Sequence, residues 1–240
     1  MTTIQSQISA VRALMADACR AAGRADDAVS LLAVSKTFDA DAVLAAFAAG
    51  QRAFGENYLQ EAVPKITALN HLPLQWHCIG PVQSNKTRLV AEHFDWVQTV
   101  DRAKIAERLS QQRPAHLPPL QVCIQVNVDG GATKSGVLPD AALALAQAVA
   151  GLPGLRLRGL MCIPEPAPDF ATACTVFKRA RALFDAMNAS GLALDTLSMG
   201  MSADLQAAIA SGSTMVRVGS AIFGARPHAV SETSRPVLPA

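Results

Sequence analysis

A single TIM-type (β/α)₈ barrel of the α/β class, spanning residues 1–226 with an extra N-terminal helix, is the fold this sequence predicts. Three observations carry the prediction. Eight short apolar runs alternate with longer stretches of helical periodicity, the pattern of consecutive parallel βα units. The 240 residues match the size of one such barrel, typically about 250 residues. The runner-up, an open doubly wound sheet, is disfavoured because no GxGxxG follows the first run and no Walker A pattern occurs anywhere.

Taken in order, residues 4–22 form a helix with Ile4, Ile8, Val11, Leu14 and Met15 on one face. The first strand is LLAVSK (31–36), followed by a helix over 39–49 that Gly50 can close. RAFGE (52–56) is the second strand and 58–69 its helix. QWHCIG (75–80) precedes a helix over 84–92, and WVQTV (96–100) precedes one over 102–112. The Pro-rich RPAHLPP (113–119) is a loop. QVCIQVNV (121–128) leads to an Ala/Leu-rich helix at 139–150, and LRLRGLMCI (155–163) leads through PEPAP to a long helix at 169–190. TLSMGM (196–201) and a helix at 203–211 follow, then MVRVGSAIFG (215–224), the eighth strand with its exit turn. No helical pattern comes after it, and 227–240 reads as a surface tail. The N-terminal helix is therefore expected to cover the place of the missing eighth helix.

Composition excludes several function classes. Half the residues are hydrophobic and 17% are charged, enough for a large core and too apolar for wholesale disorder. Twenty-one basic against 19 acidic residues leave a formal charge of +2, which gives no basis for charge-driven nucleic-acid binding. No apolar run approaches the roughly 20 residues needed to cross a bilayer, and the N-terminus lacks the pattern of a signal peptide. A cytoplasmic protein without membrane association is expected. The five cysteines (19, 78, 123, 162 and 174) form no CxxC and no zinc spacing with His, so neither a disulfide framework nor a metal site is expected.

In this fold the chemistry lies where strands end and loops begin. Lys36 ends the first strand; partly desolvated there, it could attack a carbonyl to form a Schiff base, or simply mark the strand end in water. Ser202 stands where the seventh helix starts and reads as its N-cap, with free N–H groups able to hold an anion. Gly219 and Ser220 follow the eighth strand, completing the loop pair where this fold recurrently binds phosphate. Arg217 alternates with Val216 and Val218, so it points into the barrel if the valines face outward. There it pairs with a core carboxylate or donates to a ligand. Asn57 reads as a turn residue or a ligand donor, and His77 as a satisfied core histidine in preference to a ligand contact. Lys86 and Arg88 read as a solvated helical face, and Met161, Met199 and Met201 as packing residues. A Schiff-base lysine, a phosphate clamp and an inward arginine together describe a site for a phosphorylated ring aldehyde, of which pyridoxal 5′-phosphate (PLP) is the obvious example.

The sequence resembles the YggS/PROSC family of pyridoxal-phosphate homeostasis proteins. The resemblance is carried by LLAVSKTF, FGENYLQEA, WHCIGPVQSNK, QVCIQVNVDGGATKSGV, RGLMCIP and LSMGMSADLQAAIASGSTMVRVGSAIFGAR, from residue 31 to 226. It implies an alanine-racemase-like barrel in which Lys36 bonds to PLP, Ser202, Gly219 and Ser220 bind its phosphate, Arg217 faces the pyridine nitrogen and Asn57 lies beside the cofactor. It also implies a role in binding, buffering and delivering PLP, with PLP-dependent apo-enzymes as partners and no robust turnover. Two departures lie in loops: Pro81 replaces the family's common His, and DGGAT precedes Lys134. An arginine on the ring nitrogen keeps that nitrogen unprotonated, a poor electron sink. Racemases of the related fold use a tyrosine from a second domain; this chain has one tyrosine, Tyr58, and no room for such a domain. A monomeric carrier is therefore favoured over a low-activity amino-acid racemase.

Overall fold

The computed structural model describes residues 3–131 and 133–225; the expected tail at 227–240 lies outside them. Eight parallel strands close into a barrel in sequence order. The strands are β1 (Ser30–Val34), β2 (Ala53–Glu56), β3 (Gln75–Cys78), β4 (Trp96–Val100), β5 (Leu120–Gln125), β6 (Leu155–Met161), β7 (Thr196–Ser198) and β8 (Met215–Val218). The helices are α1 (Ile4–Ala21), α2 (Ala40–Ala48), α3 (Leu59–Ala68), α4 (Thr87–His93), α5 (Ala103–Gln112), α6 (Pro139–Ala150), α7 (Phe170–Ala189), α8 (Leu205–Ala210) and α9 (Ser220–Phe223), with a 3₁₀ turn at Ser84–Lys86. No described helix is long and apolar enough to cross a membrane.

Alternation along the strands sorts residues into two layers. Ala33, Phe54, Val97, Val122, Ile124, Leu160, Leu197, Val216 and Val218 belong to the main core between strands and helices. Trp96, Cys123 and Met161 form a separate cluster. Gln98 on β4 and Ser198 on β7 hydrogen-bond at 2.7 Å, a contact between non-adjacent strands that only the barrel interior allows. Arg217 is buried among these inward residues, as the two flanking valines require. Beside β7 the wall is tight: a Cβ on Gly159 would lie 1.7 Å from the Thr196 carbonyl oxygen.

Two sequence expectations need correcting. A helix does follow the eighth strand: α9, a single turn too short for periodicity to reveal. The strands also end earlier than predicted, β3 at 78, β5 at 125, β6 at 161, β7 at 198 and β8 at 218. Apolar residues beyond those ends continued the strand signal, but they serve loops around the mouth. Helix α1 takes the β1–β8 seam as expected, but Leu14, expected on its apolar face, is exposed. The helix packs on α2, α8 and α9, burying Ile8, Val11, Met15, Ala18 and Cys19. Thr3 and Ser6 cap it reciprocally, worth about 1 kcal/mol. Arg12 donates to the Ala49 and Gly50 carbonyls, and Arg24 to that of Ile209, tying α1 across the seam.

Candidate functional site

Loops at the C-terminal ends of six strands enclose a cavity of about 530 Å³. All six residues singled out by sequence line it: Lys36 after β1, Asn57 after β2, Ser202 after β7, Arg217 in β8, and Gly219 and Ser220 at the start of α9. The described residues of the loops after β4 and β5 contribute nothing to its lining.

Lys36 is half-buried in the turn after β1. Its backbone is clamped on both sides. Ser35 donates from N to Gly55 O at 3.1 Å and from Oγ to Glu56 Oε1 at 2.6 Å. Lys65 Nζ reaches from α3 to Glu56 Oε1 at 2.8 Å and Ser35 O at 3.1 Å. Burial pushes the Glu56 carboxyl upward, while the Lys65 charge and hydrogen bonds from Lys65 and Ser35 pull it down. On the other side Thr37 adopts φ +69°, a left-handed conformation that costs a β-branched residue about 1–3 kcal/mol. Its N–H donates to Glu61 at 3.2 Å. A strained residue beside the candidate nucleophile, held by a buried ion pair, fixes where the Lys36 chain departs.

Arg217 is buried and makes no ion pair with a described residue, so of its two sequence-level alternatives the core-carboxylate pairing is absent. Its Nη1 donates to Ser198 Oγ at 2.7 Å and its Nη2 to Cys162 O at 2.9 Å. Burial lowers its pKa, but arginine starts so high that it stays charged.

The anion-binding end differs in detail from its prediction. Ser202 is not an N-cap: α8 starts three residues later, and Asp204 occupies the cap position. Asp204 Oδ1 instead accepts from Met201 N–H at 2.6 Å, folding the turn that presents Ser202 and Ala203. The N–H groups of Ser202, Ala203 and Gly219 find no acceptor among the described residues. Gly219 owes its lack of a side chain to packing, since a Cβ there would lie 3.2 Å from Val34 O. Gly200, which sequence reasoning passed over, takes φ +95°, and a Cβ there would come within 2.4 Å of Ala208 Cβ. Only glycine turns the chain from β7 at that spot.

The rest of the lining was also missed: the apolar Val34, Phe38, Ile79, Ile163, Met201 and Ala203, with Gly224 and Ala225 at the exit of α9. Phe38 stacks against Phe223 with ring centroids 5.1 Å apart. Met201, read as packing, is instead 39% exposed at the cavity; Met161 and Met199 are buried as expected. His77 does not reach the cavity and is a satisfied core histidine. Arg88 faces solvent, pairing loosely with Glu92. Tyr58 is exposed and outside the lining. Burial pushes the thiols of Cys78, Cys123 and Cys162 up to about 12, so none is a nucleophile at neutral pH. No group of three or more potential metal ligands occurs among the described residues.

This donor set fits PLP. An aldehyde calls for a primary amine, a phosphate for convergent N–H groups, and a pyridine nitrogen for a donor that cannot lose its proton. Asn57 Oδ1 is buried in this wall with no partner, a polar atom that the protein alone leaves unsatisfied.

Comparison with known proteins agrees. Residues 10–227 match the family described as alanine racemase, N-terminal domain. A curated pyridoxal phosphate homeostasis protein from Pseudomonas aeruginosa is 60% identical over 228 residues, 95% of this chain and 98% of its own. Its counterpart from Vibrio cholerae is 54% identical over 95% of this chain and 98% of its own. The chain belongs to the pyridoxal phosphate homeostasis protein family. Among solved structures, PipY of Synechococcus elongatus with PLP bound superimposes with a TM-score of 0.80 at 36% identity, covering 92% of this chain and all of PipY. The match to the pyridoxal phosphate homeostasis family runs through every candidate residue from Lys36 to Ser220, so the barrel mouth described above lies wholly inside it.

Proposed function

We propose that this chain binds PLP in the 530 Å³ cavity, attached through a Schiff-base link to Lys36, and serves as a monomeric cytoplasmic carrier that buffers PLP and delivers it to PLP-dependent apo-enzymes. The observation that carries the reading is the convergence of six residues, far apart in sequence, on one cavity whose donors match the three polar ends of PLP. Bound PLP supplies an aldehyde for covalent capture and a conjugated ring able to accept electrons. Lys36 supplies the amine. Arg217 donates to the ring nitrogen and, being unable to give up its proton, keeps that nitrogen unprotonated. The N–H groups of Ser202, Ala203, Gly219 and Ser220 hold the phosphate. Asn57 lies beside the ring, and Phe38, Ile79, Ile163 and Met201 exclude water from it.

A carrier is favoured over a racemase by the lining itself. Racemisation needs an acid and a base on opposite faces of the substrate. Among the described lining residues only Lys36 and Arg217 carry an ionisable side chain, and Arg217 stays protonated.

Mixing the purified chain with PLP, reducing with borohydride and mapping the adduct tests the proposal. A yellow protein whose adduct maps to Lys36, no adduct there in Lys36→Ala, and no sustained racemisation across a panel of amino acids are expected. A colourless protein, or an adduct confined to another lysine, would sink the PLP reading. Sustained turnover lost in Lys36→Ala would replace the carrier with a racemase.

A further inference from the structure

Arg217 is a buried cation with no ion-pair partner among the described residues, and the groups that take its place form a chain through the barrel. Ser198 Oγ accepts from Arg217 Nη1 at 2.7 Å. A hydroxyl has one hydrogen to give, and Ser198 donates it to Gln98 Oε1, also at 2.7 Å. That fixes the amide: its oxygen faces Ser198, so its nitrogen faces His77 Nδ1 at 3.0 Å and Met215 Sδ at 3.1 Å. A primary amide nitrogen can only donate, so His77 Nδ1 must accept. The imidazole hydrogen therefore sits on Nε2, which faces Gln75 Oε1 at 3.1 Å. His77 holds this neutral form because burial pushes its pKa down to about 3, and its ring stacks on Trp96 at 4.9 Å.

Each link thus follows from the one before, and all point away from the guanidinium. Hydrogen bonds aligned in a poorly screened interior polarise one another in the same sense. The chain presents the negative ends of four side-chain dipoles toward Arg217, and its far end, Gln75, opens at the opposite mouth of the barrel. No other described side chain holds the guanidinium; the second acceptor, Cys162 O, is backbone.

We infer that Ser198 and Gln98 are positioning residues for Arg217: acting with His77 as a one-directional hydrogen-bonded chain, they hold the guanidinium at the cavity wall where the pyridine nitrogen of PLP is received. The inference rests on the PLP reading above. A purely structural role for the two residues would affect every ligand equally, whereas positioning of Arg217 concerns the ring nitrogen alone.

The test compares affinity for PLP with affinity for its analogue carrying carbon in place of the ring nitrogen, in the full chain and in Ser198→Ala and Gln98→Leu. The unsubstituted chain is expected to prefer PLP about tenfold, the scale of one charge-assisted hydrogen bond. Both variants should keep the Lys36 adduct with PLP yet lose most of that preference, to about twofold. Variants that bind PLP with the full preference intact would overturn the inference while leaving the cofactor reading in place. A chain that takes up no PLP at all would overturn both. Nitrogen-15 spectra of the histidines in the unsubstituted chain decide the matter even if the variants fail to fold. The inference requires a pyridine-type Nδ1 and a protonated Nε2 on His77 at neutral pH, and the opposite tautomer or a cation refutes it.

Discussion

The two mouths of the barrel each set one arginine against the barrel interior, and they use it differently. At the N-terminal mouth Arg158 meets a carboxylate squarely: Nε donates to both Asp195 oxygens at 2.9 and 3.0 Å, and Nη2 lies 2.7 Å from Oδ2. Its Nη1 donates to Gln121, and the guanidinium lies over the Trp96 ring at 4.7 Å. Val122 pairs with Leu157 and Cys123 with Gly159, leaving Arg158 as the extra residue that bulges β6 there. At the C-terminal mouth Arg217 has only a hydroxyl and a carbonyl, Asn57 Oδ1 and Thr37 Oγ1 lack partners, and the N–H groups of Ser202, Ala203 and Gly219 find no acceptor among the described residues. Polar groups that satisfy one another hold a structure closed. Polar groups left unsatisfied, beside a residue in a strained conformation, mark where a ligand completes the set. The contrast is one of degree, since Trp96 Nε1 at the N-terminal mouth also lacks a partner.

Stability sharpens the comparison most. The Glu56–Lys65 pair beneath Lys36 is 0% and 6% exposed, whereas Asp195 in the opposite pair is 50% exposed. Lys65→Met strands a buried carboxylate and should cost about 3–5 kcal/mol in urea unfolding. The double variant Lys65→Met/Glu56→Gln should recover part of that loss. A single variant as stable as the parent would mean the pair is not buried as described.

Next in size is an exchange of roles between the arginines. Arg217→Leu should weaken PLP binding about tenfold to a hundredfold. It should change the unfolding midpoint little, because no counter-charge is stranded. Arg158→Leu should lower stability by about 1 kcal/mol and leave PLP titrations unchanged. If Arg158→Leu weakened binding as much as Arg217→Leu, the division of labour between the mouths would fall.

The smallest effect is in acid. Burial pushes the Asp195 carboxyl up, but hydrogen bonds from Arg158 and Thr196 and the Arg158 charge outweigh it and hold the carboxyl below its ordinary value of 3.8. A depressed folded-state pKa adds stability above the unfolded value, and that stability is lost as pH falls through the folded one. Unfolding measured between pH 6 and pH 3 should show a slightly shallower acid loss in Arg158→Leu, by less than about 1 kcal/mol at this exposure. A steeper loss in the variant would contradict it.

Much of this contrast could be read before any coordinates. The alternation of Val216, Arg217 and Val218 turned the arginine inward, and the strand count placed Lys36, Ser202 and Gly219 at one mouth. What escaped notice shares a cause. Ile79, Ile163 and Met201 extended the apolar runs and so looked like strand, because a hydrophobic ligand wall and a hydrophobic core have the same composition. His77 reads singly as a core histidine, and Ser198 and Gln98 carry no pattern of their own; their meaning lies in contacts between β3, β4, β7 and β8 that no local pattern encodes. The Glu56–Lys65 pair is hidden likewise, since a lysine on a helix is ordinarily taken for a solvated one. The single turn of α9 lies below the length at which periodicity can be detected.

That single turn has a kinetic side. Because α1 fills the outer layer at the β1–β8 seam, a single turn follows β8 among the described residues, and its exposed first residue, Ser220, lies at the mouth with the exposed Ser202 and Ala203. In the proposed complex an anion seated there can trade its contacts for solvent one at a time, since Ser202, Ala203 and Ser220 are exposed. If the proposed link to Lys36 forms, residence time is governed at the lysine end, by how fast that covalent link is made and broken, while the proposed phosphate end sets the orientation of arrival and departure.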